Sequence, residues 1–207
     1  LLGVVFFGWS AAIILAIYWS ENLVVGFYNV LKLAFAGGAT PGGSQASKFF
    51  LIPFFCLHFG GFCTVHGVFI IVLGQGLKGP DGFFPAAGDW PGPLIFVGLF
   101  VGLIEKIWQL YGNAILLPVT GLLISHGVSF VENFFLKGEM YKRSPVYYMF
   151  APYGRVVITH VALIVGALPV IALGSPLPLL AILVFFKIVM DVGLHWFSHQ
   201  QPQVESP

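Results

Sequence analysis

Charged residues are scarce in this sequence, and their scarcity decides the class of protein. Asp, Glu, Lys and Arg make up 8% of the 207 residues, whereas a soluble domain carries roughly 25%. Hydrophobic residues make up 58%, and the mean hydropathy is +0.94. A water-soluble fold could not cover its surface with so few charges, so the composition predicts an integral membrane protein.

The sequence also lacks a basic surface and a pair of cysteines that could form a disulfide. The net charge is only +1, and no basic residues interleave with aromatic ones, which excludes a nucleic-acid-binding surface. Cys56 and Cys63 lie about two turns apart on one predicted helix, too far for a disulfide. Alternating segments of about ten residues, typical of transmembrane β-barrels, are absent, so the apolar runs predict helices.

The long apolar runs predict an all-α, polytopic transmembrane bundle that forms a single domain over residues 1–207. Each run is close to the roughly 20 residues that a helix needs to cross the bilayer. Turn-forming Gly, Pro and Asn separate most of them. The six predicted spans are 2–19, 49–73, 94–111, 114–136, 153–173 and 177–199.

Two stretches depart from a simple series of spans. In residues 20–35, polar side chains recur at helical spacing between apolar ones, which predicts an amphipathic helix that lies in the interface or packs under the bundle. Residues 94–136 exceed one span, and the sequence Tyr-Gly-Asn at 111–113 predicts a tight turn that divides them. The charged pair Glu105 and Lys106 lies in the first half; if that half is interfacial, the count falls to five.

The distribution of Lys and Arg predicts the orientation. With six spans, one side of the membrane holds the 74–93 loop, the 137–155 loop and the C-terminus, and this side has more Lys and Arg. Because such loops remain in the cytoplasm, we expect both termini there. A count of five spans would remove this grouping.

Ionisable residues inside the spans indicate a site. Such residues are costly in lipid and usually face the bundle interior or a cavity. Five of them fall in the cytoplasmic half of four different spans: His66, His126, His160, His195 and Asp191. Imidazole and carboxylate groups bind Zn, Cu or Fe. Two histidines on different helices would also fit a haem, which we rank below a single metal ion. The sequence therefore predicts a buried His-rich metal site; a structural hydrogen-bond network is the alternative.

The C-terminal stretch K-I-V-M-D-V-G-L-H-W-F-S-H contributes to this site. Asp191 precedes His195 by one helical turn and would fix the tautomer of its ring. His199, one turn further, lies at the predicted end of the helix and is a weaker candidate. The sequence lacks the glutamate of the metalloprotease motif H-E-x-x-H, as well as G-x-S-x-G and P-loop motifs.

Several stretches resemble a bacterial membrane family known only as a domain of unknown function (number six-four-nine-eight). They are, in order along the chain, W-S-E-N-L-V-V-G-F-Y-N-V-L-K, H-F-G-G-F-C-T-V-H-G, S-H-G-V-S-F-V-E-N-F, P-Y-G-R-V-V-I-T-H, L-G-S-P-L-P and K-I-V-M-D-V-G-L-H. The resemblance implies a protein of the bacterial cytoplasmic membrane. It also implies a family pattern that contains Asn22, Asn29, Lys32, His126, Asn133, Arg155, His160, Asp191 and His195.

Two functional alternatives remain open beside a metal-binding membrane protein. The pair His195 and His199 is similar to the terminal H-x-x-x-H of seven-helix membrane hydrolases that include alkaline ceramidases, which implies a zinc-dependent intramembrane hydrolase. The Ser-x-x-x-His spacing and the seventh helix of those enzymes are missing. The other alternative is a non-catalytic subunit or assembly factor of a larger respiratory or photosynthetic membrane complex, in contact with lipid and other membrane subunits.

Overall fold

The structure, a computed structural model, describes residues 10–37, 45–74, 95–174 and 177–199, which are helical apart from short connections. Four helical stretches are long and apolar enough to cross a membrane: Ala11–Phe35, Ser47–Val72, Ile95–Leu136 and Pro145–Leu173. The helices are α1 (Ala11–Phe35), α2 (Gln45–Gly74), α3 (Ile95–Ser129, continued by a π-helix at Phe130–Leu136), α4 (Glu139–Lys142), α5 (Pro145–Phe150), α6 (Tyr153–Leu173) and α7 (Leu177–His199).

Helix α1 is one continuous element, whereas the sequence predicted a boundary between residues 19 and 20. It begins after Ser10, whose hydroxyl accepts a hydrogen bond from the Ile13 amide at 3.3 Å. Its polar residues Asn22 and Asn29 are only 5% and 6% exposed. These polar side chains, whose spacing predicted an amphipathic helix, therefore face neighbouring helices. The structure does not confirm an interfacial helix.

The contacts of α3 reverse direction near residues 111–113, where the sequence predicted a turn, although helical hydrogen bonding continues through these residues. Phe96 lines a cavity with Val30 of α1, residues 108–114 line a cavity with Ile13, and the Leu123 carbonyl oxygen accepts a hydrogen bond from Tyr28. Gly112 is buried and helical, and a helix interior tolerates glycine at a cost of about 1 kcal/mol. With its π-helical end, the element has 42 residues, about twice the roughly 20 that one crossing of the bilayer core requires. The six-span count is not confirmed, because the described residues give four helical stretches that are long and apolar enough to cross a membrane.

Specific contacts fix the directions of the first two helices. The Trp19 indole N–H donates to the Cys63 carbonyl oxygen at 2.7 Å, and the Lys48 ammonium donates to the Ala34 carbonyl oxygen at 2.9 Å. Residue 19 of α1 thus lies opposite residue 63 of α2, and residue 34 of α1 lies opposite residue 48 of α2. Helices α1 and α2 are therefore antiparallel, and α2 ends where α1 begins.

The short helices α4 and α5 lie at the opposite end of the bundle, where α1 ends. The Asn29 amide nitrogen donates to the Tyr148 carbonyl oxygen at 2.6 Å, and the Gly37 amide donates to the Met140 carbonyl oxygen at 2.8 Å. The end of α2 and the 137–155 segment are thus at opposite ends. The sequence grouped the loop that follows α2 with the 137–155 loop on one side of the membrane, and this grouping is therefore not formed.

Glycine allows the closest approach in the core. Gly67 of α2 faces Trp19 of α1 and Leu103 of α3, and a Cβ atom at this position would overlap Leu103 Cδ2 and lie 2.8 Å from Trp19 Nε1. Trp19 and Leu103 are buried in the cluster of apolar side chains that joins α1, α2, α3, α6 and α7. The packing of the first three helices therefore depends on the missing side chain at position 67.

We predict that Gly67→Ala lowers the free energy of unfolding by about 1–3 kcal/mol, because an added methyl group over-packs this contact. Denaturant titration of the purified protein in mixed micelles measures the change. Gly102→Ala is the matched control, since a Cβ there meets no atom within 4 Å. Equal stability of the two variants would contradict the close packing at Gly67.

Candidate functional site

A partly buried ion pair joins α1 to α6. Arg155 Nη1 donates to Glu21 Oε1 at 3.0 Å, Nη2 lies 2.8 Å from Oε2, and Nε donates to Asn22 Oδ1 at 2.7 Å. The guanidinium carbon lies 5.3 Å from the Tyr18 ring centroid. The side chains of Arg155 and Glu21 are 16% and 14% exposed. A two-point pairing of this kind fixes both the distance and the rotation of the helices.

The polar contacts continue one turn along α6. Thr159 Oγ1 donates to the Arg155 carbonyl oxygen at 2.9 Å, so the Tyr18 hydroxyl, 3.1 Å away, acts as the donor to Thr159 Oγ1. Thr159 and Tyr18 are therefore satisfied by each other and by the backbone. We interpret this network as structural, since its groups already have partners within the protein.

Two predicted site residues meet between α2 and α6. His66 Nε2 and His160 Nδ1 are 3.2 Å apart, and the ring centroids are 5.4 Å apart. His66 is 2% exposed, whereas His160 is exposed at the outer side of the pair. The Phe62 ring stands edge-on to His160 at 6.4 Å. We call His66 and His160 the histidine pair.

A second histidine contact lies two turns away on α2. His58 Nδ1 is 2.7 Å from the Tyr153 hydroxyl of α6, and its ring stacks on Phe54 at 5.1 Å. Positions 58 and 66 thus face 153 and 160, which makes α2 and α6 parallel. The sequence interpretation left His58 out, although the four-residue spacing of Phe54, His58, Phe62 and His66 marks one face of α2.

A groove of about 400 Å³ reaches the histidine pair from the outer surface of the bundle. Its lining is apolar except for two imidazoles: Leu57, His58, Gly61, Phe62, Val65, Phe96 and His160. A Cβ at Gly61 would meet no atom within 4 Å, so the glycine leaves this part of the groove open. Water or a lipid-soluble molecule therefore has a path to His160.

His126 does not join the histidine pair. Its ring stacks on Tyr28 of α1 at 6.3 Å, and the Tyr28 hydroxyl donates to the Leu123 carbonyl oxygen at 2.9 Å. On α1, Tyr18 marks the depth of His160, because it contacts the preceding residue, Thr159. Tyr28, which marks the depth of His126, is ten residues further along α1, and ten helical residues rise about 15 Å. His126 therefore lies too far along the bundle to share an ion with the histidine pair.

The remaining predicted ligands, Asp191 and His195, belong to α7, but their side chains lie outside the described residues, as does that of His199. Within the described part of the chain, no three His, Cys, Asp or Glu side chains are grouped closely enough to hold a metal. The structure thus brings together two of the five predicted residues. The metal site itself stays a prediction.

The comparison with known families agrees with the resemblance seen in the sequence. The model of a family of unknown function (DUF6498) matches residues 1–207. The chain belongs to this family. No curated protein and no solved structure matches it. Of the positions that the resemblance implied for DUF6498, Asn22, Arg155 and His160 lie along the contacts of α6 with α1 and α2 described above.

We predict that Arg155→Met destabilises this DUF6498 protein by about 3–5 kcal/mol, because it leaves the Glu21 carboxylate buried without its cation. Titration with a denaturing detergent measures the loss. Arg143→Met is the control, since Arg143 is exposed and contacts only the Tyr147 ring at 4.6 Å among the interactions described. Similar small losses in both variants would argue against a structural role for Arg155.

Proposed function

We propose that this DUF6498 protein is an integral membrane protein that binds a transition metal, zinc in the first place, through His66 and His160. The supporting observation is the 3.2 Å separation of His66 Nε2 and His160 Nδ1. Two imidazole nitrogens bound to one tetrahedral zinc ion at about 2.0–2.1 Å lie about 3.3 Å apart. The two rings thus need little movement to share an ion in place of their hydrogen bond.

The surroundings of the pair favour a bound ion over a simple hydrogen bond. Each ring is held by its own helix, and Phe62 stands against His160. Two protein ligands leave coordination positions free, and the groove reaches the pair at His160. Asp191 and His195 are the further ligands predicted from the sequence. Copper, iron or a haem between the two histidines are the alternatives that the same experiment separates.

The hydrolase alternative rests on the same groove. A zinc ion with a free position lowers the pKa of a bound water to about 7, which supplies a hydroxide nucleophile. The groove would admit a lipid-soluble substrate to that position beside His160.

Metal content tests the proposal. Protein purified in mild detergent and dialysed against a zinc buffer is expected to keep about one zinc ion per chain by elemental analysis. His66→Ala and His160→Ala, singly, should weaken zinc binding at least about 10-fold, since each removes one ligand. His58→Ala is the control, because His58 pairs with Tyr153 on the same face of α2.

Three outcomes are informative. Equal zinc content in the wild-type protein and the His66→Ala, His160→Ala double variant would contradict the proposal. Loss of zinc in Asp191→Ala or His195→Ala would add that residue to the ligands. A Soret band in the visible spectrum would show that the bound group is haem and not zinc. Thermal unfolding checks that each variant is folded.

We also infer that the end of the bundle where α1 ends faces the cytoplasm of a bacterial cell. Five described cations lie at this end: Lys32, Lys48, Lys137, Lys142 and Arg143. Short segments rich in Lys and Arg stay on the cytoplasmic side. In a variant with Cys56 and Cys63 replaced by alanine, Lys142→Cys should resist a membrane-impermeant maleimide in intact cells, and Leu173→Cys at the other end should react. The reverse pattern would contradict the inferred orientation.

A further inference from the structure

A second apolar cavity adjoins the groove of the histidine pair. It has a volume of about 240 Å³, lies between α1, α2 and the beginning of α3, and shares Leu57, Gly61 and Phe96 with the groove. A Cβ atom at Gly60 or Gly61 would meet no atom within 4 Å, so no side chain fills the space at this point of α2. The groove and the cavity therefore adjoin at Gly61, and together they have the size of a small-molecule site, about 300–1,000 Å³.

The cavity suits a hydrocarbon chain. No charged residue is among the described residues that line it. The hydroxyl of Thr64 already donates to the Gly60 carbonyl oxygen at 2.8 Å, and the thiols of Cys56 and Cys63 behave as small apolar groups. A polar molecule would lose its hydrogen bonds to water in such a cavity without gaining others.

The groove differs from the cavity because it offers hydrogen-bond donors. His58 and His160 are the polar side chains among the described residues that line it. The Tyr153 hydroxyl is 2.7 Å from His58 Nδ1, and when it donates there the neutral imidazole carries its proton at Nε2. His66 Nε2 is 3.2 Å from His160 Nδ1, and with His66 as the donor the His160 proton is also at Nε2. In these tautomers each ring has one N–H left for a ligand.

The depth of His58 restricts the polar part of such a ligand. Residue 58 is near the middle of α2 (Gln45–Gly74), about 20 Å from either end, and therefore lies within the hydrocarbon core. A phosphate or carboxylate head would need a cation there, and none lines the described part of the groove. The Phe54 and Phe62 rings each lie 5.1 Å from the His58 ring. The site thus favours a neutral, flat head that accepts hydrogen bonds.

We propose that the groove and the cavity bind a lipid-soluble quinone. The two quinone carbonyl oxygens accept hydrogen bonds from His58 Nε2 and His160 Nε2, and the hydrocarbon tail passes Gly61 into the cavity. Both histidines are exposed at the outer surface, and Leu57 beside them is 61% exposed, so the quinone enters from the lipid. The quinone shares the groove with the proposed metal site but does not rest on it, because the ion would use Nδ1 of His160.

Binding of a decyl-tailed benzoquinone tests the head of the site. Wild-type protein, washed with a chelator and reconstituted in lipid nanodiscs, should bind about one quinone per chain in a saturable manner, measured by chromatography of the retained quinone. His58→Leu and His160→Leu should each lower the affinity about 3–10-fold, since each removes one hydrogen bond. His126→Leu is the matched control, because His126 stacks on Tyr28 and lines neither space.

A glycine variant tests the path of the tail. Gly61→Leu should lower the affinity for the same quinone at least about 5-fold, because its side chain over-packs the occupied passage. Gly121→Leu is the control: a Cβ there also meets no atom within 4 Å, and Gly121 lines neither the groove nor the cavity. Both variants should stay folded, since leucine favours a helix more than glycine does.

Three results would overturn the quinone site. One is quinone uptake that does not saturate, and another is an affinity that His58→Leu leaves unchanged. The third is one phospholipid per chain that is extracted from wild-type protein but not from Gly61→Leu, since an acyl chain would then occupy the cavity. His58→Leu should keep its zinc, so the quinone site and the metal site can fail independently.

Discussion

The ion pair between Arg155 and Glu21 is the contact on which the arrangement of the bundle depends. A charged pair inside a membrane protein is retained only where its geometry is close to ideal. Here two hydrogen bonds of 2.7 and 3.0 Å and one ion-pair contact of 2.8 Å hold one guanidinium to two residues of α1. Sliding α6 by one residue would break all three. The pair therefore sets the register of α6 within the bundle.

That register has a direct consequence for the histidines. His160 follows Arg155 by five residues, about half a turn further around α6, so it faces α2 while Arg155 faces α1. The antiparallel contact of Trp19 with Cys63 fixes α2 in turn. With both neighbours fixed, His66 and His160 meet at 3.2 Å. The histidine pair is thus held by contacts of other residues, which is what a preorganised binding site requires.

The sequence predicted those features that depend on composition or on depth within a helix. The spans 153–173 and 177–199 match α6 and α7, because Pro and Gly mark their ends, and His66 and His160 share a depth in neighbouring helices. The turn near residues 111–113 was predicted from Tyr-Gly-Asn, and the contacts of α3 reverse direction there although Gly112 remains helical. His126 lies on the returning half beside Tyr28, at a different depth from His160. The pairing of Glu21 with Arg155 joins residues 134 positions apart, which no local pattern reveals.

The shared coordination of one ion by His66 and His160 is the central functional claim, and X-ray absorption at the metal edge tests it most directly. For the zinc-loaded protein, the spectrum should show nitrogen neighbours at about 2.0–2.1 Å with the multiple-scattering pattern of at least two imidazoles. His160→Ala should remove one of them. A spectrum without imidazole scattering, or one that His160→Ala leaves unchanged, would contradict the claim.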